Sequence, residues 1–244
     1  MADSGERAVS AISQAYPDRV EVRGRDLAGD LMGRLSFTEY FHLLLTGSEP
    51  SEEQRFFLDL LLVAIAEHGL MPTNVAARMT LAADPDSLQG AVAAGILGAG
   101  PVLLGTSEEC ARLLAGGGDA KEIVREHRAA ERKVPGFGHP VHKPLDPRAE
   151  RILELADERG VSGRHVALAR ALRGELGLTM NVSMPIAAVL LDLDFPVAAV
   201  KAVPILARTA SLLAHLAEEL ERPIGFVLAK AAEAAIRYEP DARP

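Results

Sequence analysis

The sequence has no tryptophan, a single cysteine and only 4% aromatic residues. One thiol, Cys110, excludes an internal disulfide and fits a reducing compartment. No Lys/Arg-rich run is interleaved with aromatics, and the net charge is −8, which argues against nucleic acid or an anionic membrane as partner. Long apolar runs are missing too. The stretch Leu58–Ala66 is broken by Asp59 and falls far short of the roughly 20 residues that span a bilayer. The opening MADSGERAVS lacks the basic-then-apolar pattern of a signal peptide, so a cytoplasmic location is expected. No metal is expected, because His139 and His142 lie on a proline-rich segment with only Asp146 at ligand spacing. The glycines of GILGAG and GGG form no phosphate-binding loop and follow no strand.

What remains suits a folded helical protein. The chain is 48% hydrophobic and 25% charged over 244 residues, enough for one large domain or a large domain carrying a smaller one. Capping boxes read at Ser36-x-x-Glu39, Ser51-x-x-Gln54, Thr106-x-x-Glu109 and Asp119-x-x-Glu122. Asp84-Pro85 and Asp146-Pro147 supply an N-cap followed by an N1 proline, and Gly47 closes the first helix. Further helices are predicted over Arg164–Leu176, Pro185–Leu193, Val197–Leu220 with a bend at Pro204, and Pro223–Tyr238. Val20–Val22 offers a short strand, but no sheet is expected. The fold class is all-α.

Residues 133–150, KVPGFGHPVHKPLDPRAE, are unusual in such a chain. Gly136, Gly138, Pro135, Pro140, Pro144 and Pro147 surround His139, His142, Lys143 and Arg148. Glycines admit a ligand close to the backbone and prolines limit the loop to few conformations. A rigid loop with imidazoles and cations, running into a helix N-terminus, suits an anionic ligand.

GFGHPVHKPLDPRAERI resembles the GFGH-x-V-x-K-x-x-DPR signature of the citrate synthase family. The resemblance continues through VEVRGRDLAGDLMGRLSFTEYFHLLLTGSEPSEEQ, LLVAIAEHGLMPTNVAAR and LTMNVSMPIAAVLLDLDFPVAAVKAVPILARTASLLAHLAEELERPIG, in family order over most of residues 20–226. It is nearest to the compact citryl-CoA lyase-like branch. The implied fold has a large helical domain, residues 1–104 and 191–244, with a smaller helical domain, 105–190, inserted and carrying the loop 133–148. The implied function is cleaving or forming a carbon–carbon bond between an acyl-CoA and a 2-oxo polycarboxylate. The coenzyme A thioester is a substrate, no cofactor is tightly bound, and the chain is expected to be a homodimer.

By that resemblance His139 is the catalytic group at the carbonyl or hydroxyl oxygen, and His68, Arg148, Arg208 and Arg222 hold carboxylates, Arg222 reaching into a partner subunit's site. Arginine suits this because its planar fork meets a carboxylate with two parallel hydrogen bonds. Val134, Pro135, Gly136, Phe137 and Gly138 match the loop that cradles the adenine of coenzyme A, and Lys143 a cation at its phosphates. His142 falls at a variable position with no role. Two positions depart from the family: Leu103 stands where a histidine binds the thioester oxygen, and Ser183 where an aspartate removes the α-proton. Serine is no carboxylate base and leucine donates no hydrogen bond. Asp192 and Asp194 are expected at a helix end away from the site. The alternative is a catalytically lapsed homologue that binds coenzyme A and a polycarboxylate in a regulatory or partner role.

Overall fold

The computed structural model describes residues 8–139 and 141–240; Pro140 and most of the opening segment lie outside the described residues. The chain forms two compact units, one ending at Asp59 and one beginning at Leu60. In the first, strands β1 (Ser13–Ala15), β2 (Val20–Val22) and β3 (Arg25–Asp26) make a three-stranded antiparallel sheet. The expected strand at Val20–Val22 is present, but the expectation of no sheet is corrected. Strands of two or three residues are too short to display alternation. The β2–β3 turn is Arg23-Gly24 with both residues at positive φ, a two-residue hairpin turn hidden by an arginine where asparagine is usual. A single π-helical turn (Leu27–Leu31) and α1 (Phe37–Thr46) complete the unit over a core of Val22, Leu31 and Leu43. The Ser36–Glu39 capping box forms in both directions and Gly47 closes α1.

Helix α2 (Glu52–Ala66) begins at the expected cap, with the Ser51 and Gln54 side chains each accepting the other's backbone N–H. The second unit holds α3 (Pro72–Ala83), α4 (Leu88–Leu97), α5 (Thr106–Gly116), α6 (Ala120–Ala129), α7 (Pro147–Glu158), α8 (Arg164–Leu176), α9 (Ser183–Asp192), α10 (Ala202–Glu221) and α11 (Gly225–Ala235). Two expected starts move. Asp84 ends α3 instead of opening α4, because residues 84–87 close a turn through Ser87 N–H to Asp84 C=O, and Ser87 is the N-cap. Gly105, not Thr106, precedes α5, since the Thr106 hydroxyl bonds the Pro101 carbonyl. Asp119 and Asp146 cap α6 and α7 as expected. The predicted bend near Pro204 is a 3₁₀ turn, Val197–Ala199, before α10; the proline then sits in the first turn of that helix, where its missing N–H costs nothing.

Helix α9 is buried from Met184 through Leu191, with α5, α7 and α8 packed on it. Helices α3, α4, α10 and α11 pack together around Ala77, Leu81, Ala91, Leu212 and Leu216. By length and composition the helical stretch Val197–Glu221, mean hydropathy 1.5, is apolar enough to cross a membrane. Its Val203, Ala207, Leu212 and Leu216 are buried, as in the core helix of a folded domain. A third core joins Val124 of α6 and Leu172 of α8 to Val134, with Phe137 packed against it. That anchors the first half of the loop 133–146 by apolar contacts.

Candidate functional site

The loop is also stapled by its backbone. Gly138 N–H donates to Thr179 C=O at 2.7 Å, Asn181 N–H to Gly136 C=O at 2.9 Å, and the Asn181 side-chain amide to Gly138 C=O at 3.1 Å. The Thr179 hydroxyl reaches Pro144 C=O at 2.7 Å. Gly136 has φ +82°, and a Cβ there would lie 2.8 Å from both Cys110 Sγ and Met184 Cβ, so neither its conformation nor its space admits a side chain. Burial pushes the Cys110 thiol far up, leaving it a small core residue.

Beyond Pro144 the loop turns on Asp146, which is fully buried. Its carboxylate accepts the backbone N–H groups of Arg148 and Val182 at 3.1 and 3.2 Å, and both Nε and Nη2 of Arg148 at 3.1 and 2.8 Å. Burial acts to raise its pKa, but the Arg148 hydrogen bonds and charge outweigh that and hold it below the ordinary carboxylate range. One carboxylate thus caps α7, ties α9's approach to the loop and fixes the arginine.

Three imidazoles converge beside it. His68, just after α2, has its Nε2 3.2 Å from Nε2 of His142. The His139 ring centroid lies 4.4 Å from that of His142 and 5.6 Å from that of His68. His139 Nδ1 accepts the backbone N–H groups of Val141 and His142 at 3.1 and 2.8 Å. An acceptor at Nδ1 places the ring hydrogen of neutral His139 on Nε2, aimed away from the backbone. Burial, then the neighbouring His142, lowers the His139 pKa; burial, then Arg148, lowers that of His68. Both shifts favour the neutral ring.

A nitrogen from each ring lies within 4.8 Å of the others, a spacing that metal ligands use. Sequence spacing overlooked this because His68 is 74 positions from His142. The chemistry of the set still fits a metal poorly. Ligation at His139 Nε2 would force the ring hydrogen onto Nδ1, against two N–H donors.

Arg208, on α10, is 2% exposed. Its Nη1 donates to Asn74 Oδ1 at 2.9 Å, while its enclosed Nε has no hydrogen-bond partner among the described residues. Burial lowers its pKa, the Glu67 carboxylate opposes that, and Arg148 adds to it. Glu67 is itself spoken for: it takes the His68 and Gly69 backbone N–H groups, the Ser211 hydroxyl and the His215 ring. A buried guanidinium with an idle donor is costly unless an anion meets it.

Of the residues predicted from sequence, the fold therefore gathers His68, His139, Arg148 and Arg208, and adds His142, Asp146 and Asn74, which sequence reasoning had given no part in the site. Arg222 sits at the C-cap of α10, exposed. Val134 and Gly136 are buried, Pro135 and Phe137 half-buried, Gly138 and Lys143 exposed. Beside them a cavity of about 290 Å³ is lined by Val134, Phe137, Gly138, His127, Arg128 and Lys133. Arg128, Arg132 and Lys133 give this cavity a cationic side that the sequence analysis had not singled out. Leu103 lies in the turn before α5, and Ser183 opens α9 with its N–H on Asn181 Oδ1. Asp192 is fully committed, accepting the N–H groups of Gly163, His165 and Val166 and the His165 ring at the start of α8.

The family described as citrate synthase, C-terminal domain, matches residues 7–224. The chain belongs to the citrate synthase family. A citrate synthase of Synechocystis is 30% identical over 202 residues, 77% of this chain and 50% of that protein. The chain spans about half the length of the curated relatives it matches. Citryl-CoA lyase of Hydrogenobacter thermophilus superposes with TM-score 0.87 at 29% identity, covering 98% of this chain and 97% of that one, which puts the protein on the citryl-CoA lyase-like branch of the citrate synthase family. ATP citrate lyase of Methanothrix soehngenii, solved with citrate and coenzyme A, shares the fold with TM-score 0.81 at 19% identity over 99% of this chain and 43% of that one.

Proposed function

We propose that this protein is a citryl-CoA lyase-like enzyme that cleaves, or forms, a carbon–carbon bond between an acyl-CoA and a 2-oxo polycarboxylate. The observation that carries the proposal is the buried Arg208 guanidinium with its idle Nε, grouped with Arg148 and an N–H-donating His139. His139 would polarise the carbonyl, or support the alkoxide of the tertiary alcohol, through Nε2–H. Arg148, held by Asp146, and Arg208 would each meet a carboxylate. Coenzyme A would enter as substrate, its adenine against Val134–Gly138 and its phosphates toward Lys143 and the basic side of the neighbouring cavity. No tightly bound cofactor is needed.

The packing of α5 through α9 around one another supports a small domain at 105–190, and that of α3, α4, α10 and α11 supports the part of the large one, 1–104 and 191–244, that lies in the second unit. We take the unit to be a cytoplasmic homodimer. Exposed Leu220, Phe226 and Val227 on α10 and α11 give an apolar face for a second copy, and exposed Arg222 beside them is free to complete its site. A mass near 25.9 kDa by light scattering would remove the shared site. Leu103 and Ser183 favour the second reading, a homologue that binds coenzyme A and a polycarboxylate without turnover. Cleavage of citryl-CoA, followed as oxaloacetate release, together with calorimetric binding of oxaloacetate, separates the two. Turnover establishes the lyase, binding alone the lapsed homologue, and neither overturns both.

A further inference from the structure

The helical stretch Val197–Glu221 is apolar by composition, yet α10 carries a polar stripe. Arg208, Ser211, His215 and Glu219 follow one another at spacings of three and four, so they share one face. Asn74 and Arg78, one turn apart on α3, meet that face. Arg78, 1% exposed, donates from Nη1 to Glu219 at 2.9 Å, from Nη2 to Glu218, and from Nε to His215 Nδ1 at 3.0 Å. Glu219 is fixed in its turn by the Ile224 and Gly225 N–H groups at the start of α11. A guanidinium N–H only donates, so Nδ1 of His215 is bare and the ring hydrogen sits on Nε2. That hydrogen points at Glu67 Oε2, 3.0 Å away. The same oxygen takes the Ser211 hydroxyl at 2.5 Å, while Oε1 takes the backbone N–H groups of His68 and Gly69 at 2.8 and 2.6 Å. One carboxylate thus ties the backbone that presents His68 to the helix that presents Arg208.

Resting on the carboxylate site proposed for His68 and Arg208, we infer that Glu67 is the positioning residue that sets both, itself held by the Arg78–His215 pair. Asn74, Arg78, Arg208, Ser211 and Glu219 are all buried, and such a polar seam gains little stability over an apolar one because each group is stripped of water. What the seam supplies is register. Four donors converge on Glu67, and a carboxylate is the side chain with acceptors on both of its oxygens. Asn74 carries the register onward: its amide nitrogen donates to Ser211 Oγ at 3.3 Å, and its oxygen accepts Arg208 Nη1 at 2.9 Å. A shift of Ser211 therefore reaches the guanidinium. The charge of Glu67 works the other way. It acts on Arg208 and offsets the cation that would meet a polycarboxylate, so a countercharge alone would weaken anion binding. Positioning and countercharge thus predict opposite signs when the charge is removed.

The test compares the full-length wild type, Glu67→Gln and Ser211→Ala by calorimetry, with oxaloacetate and, separately, with coenzyme A. An amide has one acceptor oxygen and must turn its NH₂ toward either the two backbone N–H groups or the His215 N–H, so Glu67→Gln opens one side of the tie. Oxaloacetate binding should weaken by about 10–100-fold, as when an outer partner of a metal-holding side chain is lost. Coenzyme A affinity should stay at the wild-type value. Equal or tighter oxaloacetate binding in Glu67→Gln would overturn the inference, leaving Glu67 a countercharge and the carboxylate site standing. Loss of both ligands alike would mean general loosening and would overturn it too. Ser211→Ala removes the shortest of the four bonds without changing charge and should weaken oxaloacetate in the same direction by less. Should Glu67→Gln not fold, that variant decides alone, and wild-type affinity in it overturns the inference. Nitrogen-15 NMR of labelled wild type should find the His215 hydrogen on Nε2 with Nδ1 bare; a hydrogen on Nδ1 would overturn the inference whatever the affinities. No oxaloacetate binding by the wild type would overturn the carboxylate site and the inference together.

Discussion

The proposed carboxylate side of the site and the proposed thioester side are built to different standards. Around His139 the side chains are firmly held: Asp146 alone takes four donors, and the His139 ring is pinned by two. Around Leu103 and Ser183 the backbone is just as well kept. Ser183 N–H has its Asn181 cap, and Asn181 staples the loop 133–146. What differs is the side chains at the two positions where acid–base chemistry on the α-carbon would occur. On the proposed reading the scaffold for both halves persists while only one half carries reactive groups, so holding a polycarboxylate and removing an α-proton would be separable tasks.

Restoring the missing groups should have the largest effect. With acetyl-CoA and oxaloacetate the wild type should condense poorly. A general base is worth about 10²–10⁴-fold and an oxyanion donor about 10²–10³-fold. Ser183→Asp should raise thiol release, and the double change with Leu103→His should raise it further, without clean multiplication because such groups act together. Ordinary synthase rates in the wild type, near ~10 s⁻¹, would break the comparison.

Breaking the well-built side comes next. Asp146→Asn leaves Arg148 half-buried without its countercharge and should cost about 3–5 kcal/mol of unfolding free energy, as for other broken buried pairs. The pH dependence has a fixed sign. The folded pKa of Asp146 is depressed, so its stabilisation is complete above the unfolded value of about 3.9 and is lost as pH falls through the folded one. Urea titrations across that range should show an acid-side loss that the Asn variant lacks.

How much of this was legible in the sequence follows the range of the forces involved. Local signals carried far: the caps at Ser36, Ser51, Asp119 and Asp146 depend on neighbours within three residues, and all form. Asp84 and Thr106 misled because a turn at 84–87 and the Pro101 carbonyl compete for the same groups. The site was visible as a motif in 133–150, yet its third imidazole was not. His142 acquires a partner only when the end of α2 meets the loop, a contact that no spacing rule reaches. Asp146 was read as a cap alone, since its hold on Arg148 and Val182 needs the folded geometry.

Arg208→Met sharpens the comparison with a smaller, two-sided effect. Oxaloacetate binding should weaken by about 2–5 kcal/mol, the range for losing one buried charged partner. The free protein should be no less stable, because a buried guanidinium with an idle Nε has been replaced by an apolar chain. Asn74 Oδ1 keeps the Thr73 hydroxyl as its donor. Calorimetry and thermal melts on one preparation give both numbers. A variant that binds normally would mean that Arg208 serves packing alone.

The smallest effect is the pH response of the imidazoles. His68 and His139 have folded pKa values below the ordinary 6.5, burial being the first cause in each. In the unfolded chain both rings take protons near that ordinary value of about 6.5. As pH falls below it the unfolded state therefore binds more protons than the folded one, and stability declines. Above it neither state gains a proton there and the contribution is flat. A bound polycarboxylate reverses the bias, because its charge favours imidazolium, so the decline should shrink in saturating oxaloacetate. Denaturant unfolding at closely spaced pH values, with and without oxaloacetate, measures both slopes. His68→Gln and His139→Gln should each flatten the ligand-free curve. An unchanged slope in His139→Gln would mean that the ring is not held neutral, and the donor role assigned to its Nε2–H would fall with it.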